Sequence, residues 1–85
     1  MTDAALLAAL AVQRMALAQL AGRVGAACAR VPDPGSGGPW AGPARDVYVG
    51  RLAEVARVAA EASAAVMAAK DLTDRAMATV ADRVG

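Results

Sequence analysis

Pro39-Trp40-Ala41-Gly42-Pro43 decides how this chain folds. It is the only stretch where an aromatic, two prolines and a cluster of glycines meet. Trp40 is the only Trp, and Phe is absent. Upstream and downstream lie two long Ala-rich segments, and both read as helix because Ala has the highest helix propensity. A single large side chain therefore stands at the bend of a chain built mostly from small ones.

Working back from the bend, Val31-Pro32-Asp33-Pro34-Gly35-Ser36-Gly37-Gly38 must end the first helix. Pro32 disfavours helical conformation at Val31, and the Pro and Gly residues that follow cannot rebuild it. Before it, Leu10, Leu17, Val24 and Val31 recur every seven residues, with Leu6 and Leu20 at the other seam position. Leu7, Ala21 and Cys28 widen the stripe, Gln13 breaks it, and Arg14, Gln19, Arg23 and Arg30 lie mainly away from it. The pattern predicts a one-faced amphipathic helix over about 2–31, capped by Thr2 or Asp3. Gly22 and Gly25 mark either a weak point in that helix or the close approach of another backbone.

Working forward, Gly42 suits an N-cap, and Pro43 suits the first helical position, where its missing donor is not needed. Asp46 complements the positive end of the helix dipole. A second stripe runs Tyr48, Leu52, Val55, Ala59, Ala62, Val66, Ala69, Thr73, Ala76, Val80, flanked by Val49, Met77 and Val84. Tyr48 is expected in the apolar seam with its hydroxyl at the edge. Arg57 with Glu61, Lys70 with Asp74 and Asp71 with Arg75 are spaced for pairing along one helix. The helix is predicted over about 43–84, roughly 60 Å long at 1.5 Å per residue. That exceeds what the first helix covers, so its C-terminal end either frays or meets a partner.

The expected fold is all-α: one domain, 1–85, made of an antiparallel two-helix hairpin with a Pro/Gly-rich connection over about 32–42. Its 58% hydrophobic content is dominated by Ala, which buries little area per residue. Such a hairpin gains little from its own contacts and benefits from adding another hairpin's apolar surface, as in a four-helix bundle. The stripe residues Leu6, Leu10, Leu17, Leu20, Val24, Leu52, Val55, Val66 and Val80 are the expected dimer or bundle interface.

Composition argues against other classes. Nine basic and eight acidic residues give a net charge of +1, so no field attracts nucleic acid. The chain has no His and one Cys, which leaves neither the usual general base nor a zinc ligand set. Ser36 and Ser63 lack a base partner, and the glycines around 35–42 do not spell a phosphate loop. Asp71 and Asp74 stand three residues apart, but a hairpin offers no pocket to shift their pKa. Neither an enzyme nor a cofactor is expected. Cys28 reads as a small buried hydrophobe. The apolar run Ala4–Val12 falls short of the roughly 20 residues of a membrane span, and Asp3 does not suit a cleavable signal peptide. The absence of a Lys-rich polar face argues against a membrane-active hairpin.

With these residues in place, Trp40-Ala41-Gly42 is a W-x-G motif between two amphipathic helices, followed by Ala44 and Tyr48. The combination resembles the WXG family of small type VII secretion substrates, the ESAT-like helical hairpins. The resemblance implies a homodimer or heterodimer forming a four-helix bundle. It also implies export of the folded protein from the cytoplasm by an ATP-driven apparatus. Recognition by the export ATPase would fall on Trp40 and Gly42. The chain departs from the family in its long Pro/Gly connection and its short first helix. It also lacks a Tyr-x-x-x-Asp/Glu motif after the second helix. The missing tail implies a partner that carries the export signal, such as a larger effector. It is equally consistent with a helical adaptor, chaperone or coiled-coil protein that is never exported.

Overall fold

The computed structural model describes residues 2–32 and 41–84 and contains two helices, α1 (Asp3–Ala29) and α2 (Pro43–Val84). Trp40 lies outside the described residues, as does the 33–40 stretch it belongs to. The expected all-α antiparallel hairpin is the fold observed.

Local chemistry sets each helix end. Thr2 is the cap of α1: its backbone is extended, and its Oγ1 accepts from the Ala5 N–H at 3.0 Å. Asp3 lies one position inside, in the first turn, where its charge favours the dipole. The last turn tightens, with the Arg30 N–H bonded to the Ala27 carbonyl and the Val31 N–H to that of Cys28. Gly42 caps α2, its carbonyl accepting from the Asp46 N–H at 3.1 Å. Its φ of +113° is a conformation that residues with a Cβ rarely adopt. Pro43 then takes the first helical position, as its ring favours.

Three contacts fix how the helices lie against each other. Arg83 reaches Asp3 at 3.5 Å, Gln13 bonds Thr73 at 2.8 Å, and Cys28 Sγ donates to the Ala59 carbonyl at 3.8 Å. The end of α1 is therefore level with Val58, and residues 43–57 of α2 run on past it for about 22 Å. The expectation that the C-terminal end of the long helix would be left over is corrected: the surplus is at the N-terminal end. A tight turn would have placed the helices flush at the bend. The connection from Arg30 to Gly42 has ample reach, at up to about 3.3–3.6 Å per residue, to span that step.

The resulting rod measures 64 × 17 × 14 Å. Its radius of gyration is 19.6 Å, against about 12 Å for a compact domain of this length. Among the described residues only Val66, Thr73 and Val80 are buried, all on α2 at seven-residue spacing. Helix α1 buries none.

The seam follows the heptads but not always the expected flank. Leu10, Leu17, Val24 and Val31 are half-buried, as are Leu6, Leu7, Ala21 and Cys28. Leu20, expected in the seam, is exposed, because Ala21 takes the inward position. On α2, Leu52, Ala59, Ala69 and Ala76 are half-buried as expected, but Val55 and Ala62 are exposed. Tyr48 is 41% exposed, and Val49 takes the inward flank beside it. Ser63 and Met77 fill inward positions that the sequence stripe assigned to Ala62 or to the flank.

Nor is α1 amphipathic in the expected one-faced sense. Val12 and Met15 are 68% and 66% exposed on its outer side, so apolar residues ring the helix. For the same reason Asp3–Ala29, with a mean hydropathy of 1.6 over its most apolar window, is long and apolar enough to cross a membrane. Counting only Ala4–Val12 missed the Ala-rich turns beyond Arg14. A charged Arg14 near the centre of such a span would cost about 2.5–3.5 kcal/mol, whereas in the hairpin it meets Asp74 at 3.0 Å.

Candidate interaction surfaces

At the Gln13 level, polar residues of the two helices meet in the seam. Gln13, which breaks the α1 stripe, donates through Nε2 to Thr73 Oγ1, and that hydroxyl donates in turn to the Ala69 carbonyl at 2.8 Å. Thr73 is 2% exposed, so its polar atom is satisfied on both counts inside the interface. One residue along, Arg14 Nε lies 3.0 Å from Asp74 Oδ1. This replaces the expected pairing of Asp74 with Lys70 on its own helix. The other two expected pairs form, Arg57 with Glu61 at 2.8 Å and Arg75 with Asp71 at 3.0 Å. Asp71 and Asp74 are thus held by different arginines on different helices and do not act as a carboxylate pair. Among the described residues no three His, Cys, Asp or Glu side chains converge.

Cys28 is half-buried in the seam rather than fully buried, with its thiol on the Ala59 carbonyl. Gly22 and Gly25 face open space: a Cβ at either would meet nothing within 4 Å. The close-approach reading of these glycines therefore has no counterpart inside the hairpin.

Of the turn-motif residues, Gly42 is placed as the α2 cap, and Ala44 is exposed on the first turn. Gly42 and Tyr48 lie at the end of the rod that α1 does not reach. Of the expected interface residues, Leu6, Leu10, Leu17, Val24, Val66 and Val80 line the seam of one hairpin, Leu52 is half-buried on the stretch of α2 beyond the end of α1, and Leu20 and Val55 face outward.

The sequence reading missed a groove beside the end of α1. It measures about 670 Å³, and its described lining is Arg51, Glu54, Val55, Val58, Ala59 and Ala62. Val47 joins Val55 and Val58 on this stretch of α2, and each is at least half exposed. The signal was present in the chain: Val47 and Val58 fall off the seam yet are large and apolar.

No protein family, curated protein or solved structure matches the chain. The fold defines its class as an all-α helical hairpin.

Proposed function

We propose that this protein is a non-enzymatic pairing subunit. It associates with itself or with another helical hairpin, in the manner of the WXG-like substrates of type VII secretion. The observation that carries the proposal is the thinness of the core. Between helices of 27 and 42 residues, only two valines and one threonine are buried among the described residues, and the rest of the seam is half-buried. Full burial of a Val or Leu side chain is worth about 1.5–3 kcal/mol, which leaves little surplus over chain entropy. Large apolar side chains remain exposed on both helices, Val12 and Met15 on one and Val47, Val55, Val58, Met67 and Leu72 on the other. Apolar surface in this arrangement favours a protein partner.

In this reading Trp40 and Gly42 present the recognition corner to a secretion ATPase. The partner, a second hairpin or the helical region of a larger effector, supplies the missing core and any export signal. The protein resides in the cytoplasm before export. Co-expression with neighbouring hairpin-encoding genes, followed by light scattering and an export assay, tests it. A stable complex and export that depends on Trp40 support it, and a chain that stays alone and is never exported overturns it.

A second reading, a non-secreted adaptor or chaperone for a larger effector, is favoured by the register. The step of about 22 Å between the helix ends is unlike a tight hairpin turn, and it leaves a length of α2 with exposed Val47 and Val55 for a client.

A further inference from the structure

We propose that the projecting arm of α2, residues 43–58, pairs antiparallel with the same arm of a second copy. The two-fold axis passes between Leu52 and Ala53. The inference rests on the pairing function above and names the surface and the geometry.

One side of the arm carries Arg45, Val49 and Leu52, which are half-buried. The other side carries Val47, Arg51, Glu54 and Val58 at alternating steps of four and three residues, the spacing of a second helix-pairing seam. Val47 and Val58 are 57% and 51% exposed, and the groove runs along Arg51, Glu54, Val55 and Val58.

This pattern is complementary to itself. In an antiparallel pair about that axis, Arg51 lies opposite Glu54 of the second copy, and Glu54 opposite its Arg51. Val47 lies opposite Val58 of the second copy, and the reverse contact repeats by symmetry. Two reciprocal ion pairs are thus bracketed by two apolar layers, with Val55 flanking. The charges are available. Arg51 forms no ion pair among the described residues. Glu54 has only a 4.0 Å approach from Arg57, which holds Glu61 more closely at 2.8 Å. A parallel pairing would set Arg51 against Arg51 and Glu54 against Glu54, which like-charge repulsion disfavours. The arm is short, so its interface falls below the ~800 Å² per partner of standard complexes, and a weak, reversible dimer is expected.

Charge exchange tests this on the full chain. Sedimentation equilibrium is run on wild type, R51E, E54R and the equimolar mixture of the two variants, with circular dichroism confirming unchanged helicity. Wild type is expected to dimerise reversibly. Each variant alone faces only like charges and should bind itself about tenfold or more weakly. The mixture restores both ion pairs and should dimerise as wild type does. A dimer indifferent to these changes, or a mixture that fails to recover, overturns the arm pairing but leaves the pairing function standing. A wild-type chain that stays monomeric also overturns it. The pairing function is then decided separately, by whether a different hairpin is captured on co-expression.

Discussion

Gln13 and Thr73, sixty residues apart in sequence, share a 2.8 Å hydrogen bond in the middle of an otherwise apolar seam. Gln13 alone reads as a break in its stripe. Together the two residues form a hydrogen-bonded side-chain pair between the two helices, with Thr73 buried at 2% exposure. Replacing Gln13 with Ala removes a bond worth about 1 kcal/mol. A urea midpoint lowered accordingly, with unchanged slope, is the expected outcome, and an unshifted midpoint would show the bond contributes nothing.

Core position and arm position separate cleanly by mutation. Val80→Ala, at 4% exposure, is expected to cost about 2 kcal/mol. Val55→Ala, at 50% exposure, should leave the dilute hairpin within about 0.5 kcal/mol of wild type. Thermal melts at low concentration compare the two, and equal losses would contradict the burial pattern.

Glycines divide by backbone geometry. Gly22→Ala and Gly25→Ala meet open space inside a helix and should each stabilise by about 0.5–1 kcal/mol. Gly42→Ala also has room for its Cβ, but φ there is +113°, and the change should cost about 1–3 kcal/mol. Opposite shifts in melting temperature are the expected readout.

The Arg14–Asp74 ion pair between the helices should be weak and salt-sensitive. Asp74→Asn removes the 3.0 Å contact to Arg14, whose side chain is 58% exposed. The loss should stay at or below about 1 kcal/mol and shrink in 1 M salt, where the screening length falls to about 3 Å. A loss that persists in high salt would point to another role for Asp74.

If association completes the core, stability depends on concentration. The melting temperature should rise with protein concentration, because pairing stabilises only the folded chain. A melting temperature constant over a hundredfold range would contradict self-association.

Export separates the two readings of the corner. A WXG-like substrate predicts that Trp40→Phe impairs export or ATPase binding more than it impairs folding. An adaptor predicts that Trp40→Ala lowers stability and leaves traffic unchanged. Secretion assays paired with melts distinguish them.

Much of the hairpin was legible because seven-residue spacing survives even in an Ala-rich chain. Leu10, Leu17 and Val24 on α1, and Val66, Thr73 and Val80 on α2, all lie in the seam as their spacing predicts. The flanking positions were not legible. Where Leu20 competes with Ala21, or Ala62 with Ser63, the side chains on either flank differ too little to reveal which turns inward. Helix offset was also hidden, since it depends on the length of the connection and on contacts such as Asp3 with Arg83, which periodicity does not encode. The arm surface escaped because Val47 and Val58 belong to no stripe until the end of α1 is known.

The polar level has a mechanical consequence. Both helices repeat every seven residues with small side chains, so sliding α1 one heptad toward the bend would re-form most of the apolar contact. It would also place α1 beside about half of the stretch it does not now reach. That slide sets Gln13 against Val66 and Thr73 against Leu6, and it separates Arg14 from Asp74. Glutamine and threonine therefore act as a latch: they lock a rod that could otherwise telescope, and they hold its far end open.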